Sequence, residues 1–222
     1  MIGWVAASFA AEPGRSGYLV PAASFDTDDG FGAGARGEIA WPTEVPGLPY
    51  RLSLVAHAYV AASGFQHHRF RLDRPGLGAA HHTRFTLYAA WRQWLNDGYY
   101  GVGNGTTREA RFVGSFDRDD PARRRYRYAL IQPVAQLTLR QDLGDGGWGV
   151  YGALDPKWSE VRPYEGSMLA EDLPYGVEGG FALQGRIGAL HDTREPEIAP
   201  RVGHFAEVAL RGAPDLGGEA GG

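Results

Sequence analysis

A period of two is the feature that most limits what this chain can fold into. Phe31, Ala33, Ala35, Ile39 and Trp41 alternate with Gly32, Gly34, Arg36 and Glu38. Tyr50, Leu52, Leu54, Ala56, Ala58 and Val60 alternate with Arg51, Ser53, His57 and Tyr59. Phe85, Leu87, Ala89 and Trp91 alternate with Arg84, Thr86, Tyr88 and Arg92, and Phe181, Leu183 and Ile187 with Gln184 and Arg186. Such alternation puts one set of side chains on each face of a sheet, whereas a helix repeats its apolar positions at three and four residues. Ser159 and Asp172 could cap helices, but no helical stripe follows either.

Asp29-Gly30, Asp97-Gly98, Asn104-Gly105 and Asp145-Gly146 are the dipeptides that antiparallel hairpins favour. They divide the chain into expected strands at 17–27, 31–41, 49–63, 65–73, 82–96, 108–117, 123–142, 147–161, 175–191 and 202–212. The apolar register slips between Tyr128 and Pro133, and Pro133 cannot donate to a ladder, which predicts a bulge there. The fold class expected is all-β, an antiparallel up-and-down meander of about eight to ten strands. Residues 17–212 form it, preceded by an apolar leader or clipped N-terminus at 1–16 and followed by a Gly-rich tail at 213–222. Met1 to Ala11 resembles part of a signal peptide but has no basic start.

Composition removes several function classes. The chain has 33 glycines and 14 prolines in 222 residues, nearly twice their usual share, yet its aromatic content of 12% is that of an ordered chain. A net charge of -4 gives no general attraction to nucleic acid, and the absence of cysteine excludes disulfides and thiolate chemistry. Lys157 is the only lysine among 22 basic residues.

Alternation alone does not separate a soluble sandwich, apolar inside, from a transmembrane barrel, apolar outside. Three features favour the barrel. Several strands exceed the ~9–11 residues that cross a bilayer. The polar faces carry arginines beside acidic or aromatic residues, as in Arg36/Glu38, Glu109/Arg111 and Arg84/Tyr88/Arg92. Trp41, Tyr50, Trp91, Trp94, Tyr99, Tyr100, Trp148, Trp158 and Tyr164 crowd the strand ends, where an interfacial girdle would stand. Leu52, Leu54, Ala56, Phe85, Leu87, Leu183 and Ile187 are then expected to face lipid. Arg36, Glu38, Arg51, Arg84, Arg92, Gln184 and Arg186 are expected to face the lumen, because an arginine on the lipid face near the midplane costs ~2–4 kcal/mol.

The order of motifs carries a resemblance. Gly17-Tyr18-Leu19-Val20-Pro21 leads into an extended segment, and Asp29-Gly30-Phe31-Gly32-Ala33-Gly34 opens a Gly-rich strand. Trp91-Arg92-Gln93-Trp94 precedes Tyr99-Tyr100-Gly101-Val102-Gly103-Asn104, and His191-Asp192-Thr193-Arg194-Glu195-Pro196 is followed by Pro200 and Gly203. This resembles the bacterial surface antigen family, the BamA/TamA-like outer-membrane barrels, over roughly 17–212. Glu195 stands where that family has aspartate. The resemblance implies a barrel in the bacterial outer membrane that inserts other barrels or moves polypeptide or lipid. It implies outer-membrane lipid, lipopolysaccharide and client barrels as partners, no cofactor and no catalytic residue. It implies a weak seam that opens and templates an incoming strand, with Gly17 to Phe25 as its edge. Gly101, Gly103, Asn104, Asp192, Arg194, Pro200 and Gly203 are the family-motif positions, with structural roles. The family's barrel has about sixteen strands and needs more residues than this chain has. Its "RGF/RGY" motif is missing; only Leu210-Arg211-Gly212-Ala213 appears. The chain therefore looks like the N-terminal part of such a barrel, or a reduced one.

Asp192 is expected to pin its turn through backbone N–H groups two residues on. Arg194 is expected to take a carboxylate from a neighbouring strand or Glu207. Other constellations are weaker. Gly101 to Gly105 has no GKS or GKT end and no following helix, so a tight turn explains it better than a phosphate loop. His67-His68 and His81-His82 flank Arg74 to Gly78 and could meet across a hairpin, but no carboxylate completes a metal site. Asp117 to Asp120 with Arg123 to Arg125 reads as a charged loop, whose arginines could meet lipopolysaccharide phosphates. Ser115, Ser159 and Ser167 lack a G-x-S-x-G context, and Glu160 with Glu165 could be a glycosidase acid and base, but nothing fixes their separation. The alternative readings are a soluble β-sandwich binding module and an outer-membrane lipid-acting enzyme.

Overall fold

Ten strands pair in sequence order into a single antiparallel sheet. The computed structural model describes residues 7–9, 15–27, 29–103, 124–195, 197 and 200–214. The strands are β1 (Ala7–Phe9), β2 (Ser16–Asp26), β3 (Gly30–Trp41), β4 (Leu52–Ala61), β5 (Gln66–Leu77), β6 (Thr83–Gly98), β7 (Arg127–Asp142), β8 (Trp148–Pro163), β9 (Gly179–Asp192) and β10 (Phe205–Gly212). One short helix, α1 (Met168–Asp172), lies in the β8–β9 connection. Each strand packs on its neighbours in the sheet, and α1 leans on β7. The sheet is open, with β1 and β10 as its edges among the described residues. No helix among them is long and apolar enough to cross a membrane.

The meander expected from alternation is present, and the differences have local causes. The expected strand at 108–117 lies outside the described residues, as does Asn104-Gly105. Residues 7–9, read as part of a leader, pair with Gly17 to Leu19. Gly17 to Phe25 is therefore not a bare edge along its whole length. Pro133 keeps register with Trp91, and the slip falls opposite Tyr128, where β6 carries the extra residue between Trp94 and Asp97. Asp97-Gly98 thus ends β6 beside a bulge instead of forming a hairpin turn. A second bulge follows Arg74, where Pro75-Gly76 adds a residue to β5. That bulge carries β5 through to Leu77, so Arg74 to Gly78 is mostly strand and the turn lies beyond it.

The register sorts the side chains onto two chemically different faces. On one face the cross-strand rows are apolar, such as Phe85, Leu139, Gly152, Ile187 and Leu210, or Leu72, Leu87, Leu137 and Leu154. On the other the rows are polar, such as Arg71, Tyr88, Gln136, Asp155 and Gln184. Large apolar side chains of the apolar face are exposed, and some polar ones of the other face are buried. Ile187 is 64% exposed, Leu210 72%, Leu139 56% and Val208 76%, all on the apolar face. Asp73 at 1% and Ser53 at 3% are among the most buried residues, and both belong to the polar face. A single-layer sheet gives this asymmetry only if it curls toward its polar side, which crowds those side chains and splays the apolar ones.

Glycines on the polar face of β3 make room for an aromatic ring. A Cβ on Gly32 would sit 2.0 Å from the Tyr59 hydroxyl. The ring of Tyr59 lies across β3 and its hydroxyl bonds Ser24 on β2, so one tyrosine ties three strands together.

Candidate functional site

The polar face gathers most of the charged and titratable strand side chains, Arg74, Glu160, Arg162 and His191 lying on the other, and it holds two kinds of environment. Toward the end formed by the 42–51, 78–82, 143–147 and 193–204 connections, acids and bases pair. Asp73 on β5 accepts from Arg84 through Nε at 2.8 Å and Nη2 at 2.6 Å, from Arg71 at 2.9 Å, from the Tyr50 hydroxyl at 2.7 Å and from Thr86 at 3.3 Å. Arg84 also bonds Glu197 from the β9–β10 connection. The Tyr50 hydroxyl is pushed well up, by burial first and then by its bond to Asp73. Every oxygen of this buried carboxylate is satisfied, so Asp73 has the surroundings of a structural anchor and no free lone pair facing an open space.

The second paired cluster surrounds Asp192. Arg194 grips it bidentately, Nε to Oδ1 at 2.8 Å and Nη2 to Oδ2 at 2.9 Å, and the Arg194 backbone N–H donates to Oδ1 at 3.2 Å. The partner of Arg194 is thus the aspartate two residues before it. Glu207, the expected partner across the hairpin, bonds Tyr151 instead. The guanidinium of Arg194 stacks 4.6 Å over Phe205, and its charge is held more firmly than usual by the Asp192 bond. Gly203 has φ +94°, and a Cβ there would fall 2.0 Å from the Thr193 carbonyl, so the return of this hairpin admits only glycine. Pro200 is exposed in the same excursion, and Pro196 lies outside the described residues.

The middle of the polar face is different. Arg36 stands directly opposite His57, His57 opposite Arg69, and His67 opposite Arg92. The two imidazoles pack edge to face with centroids 5.9 Å apart. Arg36 and Arg69 are exposed and Arg92 half-buried, and none of the three forms an ion pair among the described residues. Glu38, the nearest acid along β3, is engaged by Tyr18 at 2.8 Å and Ser53 at 3.0 Å.

The register places Arg36, Glu38, Arg84, Arg92, Gln184 and Arg186 on this one face, with Leu52, Leu54, Ala56, Phe85, Leu87, Leu183 and Ile187 on the other. Arg51 precedes β4 and is exposed, its N–H donating to the Trp41 carbonyl at 2.7 Å. Arg74, at the bulge, is paired with Phe85 on the apolar side. Gly101 and Gly103 follow β6 with φ of 93° and 94°, and Asn104 lies outside the described residues.

The histidine pairs do not meet. His67 and His68 oppose Arg92 and Trp91, while His81 and His82 sit in the turn at the other end of the hairpin. Among the described residues no three His, Cys, Asp or Glu side chains come together as a metal site would need. Ser167 is fully buried and caps α1 by accepting from the Ala170 N–H at 3.2 Å, and Ser159 accepts from Gln132 at 3.1 Å. Glu160 pairs with Arg162 on the apolar side of the sheet. Ser115, Glu109, Arg111 and the 117–123 charged loop lie outside the described residues. Past the C-terminal end of β6, Tyr99 donates to Asp172 at 3.1 Å and Tyr164 to the Leu95 carbonyl at 2.6 Å, so α1 is fastened over the strand ends.

Comparison with protein-family models, with curated proteins and with solved structures found no match to this chain.

Proposed function

We propose that this chain forms wall of a transmembrane β-barrel in the bacterial outer membrane, with its apolar face against lipid and its polar face toward an aqueous lumen. The observation that carries this reading is the height of the apolar band. On the apolar face Trp91, Pro133, Trp158 and Phe181 make one continuous cross-strand row. Ten residues along β8, Trp148 stands on the same face beside His191. Between Trp158 and Trp148 that face presents only Pro156, Leu154, Gly152 and Val150. Ten residues of strand span about 34 Å, and a tilt of about 40° reduces this to a height of about 26 Å. Outer-membrane barrels carry an apolar band of ~25 Å between aromatic girdles. Beyond the Trp91 row the same face turns polar, with Gln93 and Glu160.

A sandwich reading requires a second layer over Ile187, Leu210, Val208 and their neighbours, and the described residues form one sheet. The open β10 edge supports a more specific role. All eight of its residues are exposed, and an unpaired ladder in a bilayer costs several kcal/mol for each unmet backbone group. Such an edge takes up an added strand by β-augmentation. Taken with the resemblance to surface-antigen barrels, this makes insertion of other barrels, or movement of polypeptide or lipid, the functional reading, with no catalytic centre of the chain's own. Lipopolysaccharide and client strands are the partners it implies. The test is a membrane fraction carrying the full chain: heat-modifiable gel migration and resistance to carbonate extraction are expected. A monomer that stays soluble without detergent overturns the reading.

A further inference from the structure

Three arginines of the polar face that form no ion pair among the described residues, one of them (Arg36) beside the Tyr18 hydroxyl, have a geometry that the barrel reading does not require. Arg36 and Arg69 flank His57 on the two sides of β4, and Arg92 lies diagonally across from Arg69 on β6. Neighbouring strands lie about 4.8 Å apart, so Arg36 and Arg69 stand about 10 Å apart across β4 and Arg69 and Arg92 about 7–8 Å apart on the diagonal, spans that long arginine side chains can bridge toward one anion over His57 and His67. The row Arg36, His57, Arg69, Ala90, Val134 contains no carboxylate, nor does the flanking row of Gly34, Tyr59, His67, Arg92 and Gln132; the row on the other side holds Glu38, engaged by Tyr18 and Ser53, and Asp155, engaged by Gln136 and Arg186. Every other arginine of the polar face that stands near an acid pairs with it: Arg71 and Arg84 with Asp73, Arg140 with Asp142, Arg186 with Asp155. Three like charges on one face of β3, β5 and β6 repel one another, which an anion of matching span would offset. Below them the Nδ1 of His57 and the Nε2 of His67 are shut from solvent without a hydrogen-bond partner. These two shielded nitrogens belong to half-buried rings, so the ground beneath the arginines is partly desolvated, which favours charge-assisted bonds formed there.

We propose that Arg36, Arg69 and Arg92 form a binding site for an anion with two linked phosphate groups, carried either by a free diphosphate or by a phosphorylated lipid headgroup. Planar, always-charged forks suit phosphate oxygens, and a cluster spread over three strands matches two phosphates better than one. The site goes beyond the barrel assignment and depends only on the polar face.

The experiment uses the full chain in neutral detergent micelles, where binding is read separately from membrane insertion. Inorganic pyrophosphate is titrated calorimetrically into the wild-type chain and into Arg69→Gln, Arg92→Gln and the doubly substituted chain. Arg162→Gln, on the opposite face, serves as the control. Each site substitution is expected to weaken binding about tenfold or more, the loss of one charged hydrogen bond, with the control unchanged. Inorganic phosphate is expected to bind less tightly than pyrophosphate. A parallel titration with micelles containing a bis-phosphorylated lipid distinguishes the sources: binding there but not to pyrophosphate assigns the headgroup. Should the Gln variants fail to fold, imidazole NMR signals of His57 and His67 in the wild-type chain are followed during both titrations. Equal affinity of the wild-type and Gln chains, absence of binding to both probes, or imidazole signals that do not move at saturation overturns the site.

Discussion

Replacing Asp73 by alanine removes the most heavily bonded acid of the polar face. Arg84 loses a bidentate partner while its side chain remains only 15% exposed, and the Asp73 side chain itself is 2% exposed. Breaking a buried pair from one side costs about 3–5 kcal/mol, because the remaining charge is left without its partner. Glu197 still touches Arg84 and lowers that figure, whereas the orphaned Tyr50 hydroxyl adds about 1 kcal/mol. Arg71 is half exposed, so its lost contact is worth less than ~1 kcal/mol. The expected destabilisation is about 3–5 kcal/mol in equilibrium urea unfolding of the micelle-folded chain, followed by tryptophan fluorescence. Arg84→Met should cost a similar amount, and the doubly substituted chain much less than the two together, a coupling of about 2 kcal/mol or more. A loss below ~1 kcal/mol for Asp73→Ala, or additive losses, would show that this network does not hold the sheet.

The 9% exposed Asp192 should make Asp192→Ala cost about 1–3 kcal/mol in the same unfolding assay, with Arg194→Ala costing less because its side chain is 36% exposed. The exposed Arg201→Ala is the control. Gly32→Ala should displace Tyr59 and cost about 1–3 kcal/mol, and Tyr59→Ala in the same chain should recover part of that loss; a neutral Gly32→Ala in thermal unfolding would contradict the close approach. The Arg125 bond holds the Glu171 carboxyl below its ordinary value of 4.5. A lowered folded value means the contact stabilises α1 above the unfolded pKa and is lost as pH falls through the folded one. Hydrogen exchange at the Leu173 N–H, which closes α1 on Leu169, should therefore quicken as pH falls through that lowered value, relative to the Glu171→Gln chain. Identical pH profiles for the two chains would sink that assignment.

The meander was legible because its signals are local. Alternation within each strand and dipeptides such as Asp29-Gly30 and Asp145-Gly146 need no tertiary information. The Asp73 anchor was not legible, because Arg84 reaches Asp73 only through the register that the Pro75-Gly76 bulge sets. The same extra residue extends β5 past the expected turn and separates the two histidine pairs. Helix α1 is five residues long and shows no repeat, and its N-cap is Ser167 instead of the candidate caps Ser159 and Asp172. The composition of the two faces could be read in advance for Leu54 or Arg84, whereas partners could not. Arg194 chose Asp192 over Glu207, a choice set by side-chain geometry at a hairpin whose bend the sequence leaves open.

The account's central claim is the inverted sheet, and β8 offers its most direct measurement. The chain has no cysteine, so single cysteines can be placed along it without background. Spin labels at each position from Val150 to Pro156 in reconstituted vesicles report collision with oxygen, which concentrates in lipid, and with a water-soluble nickel chelate. Positions 150, 152, 154 and 156 should favour oxygen, and 151, 153 and 155 the nickel chelate, alternating with a period of two. Nickel accessibility at every position, or an alternation of the opposite phase, would contradict it.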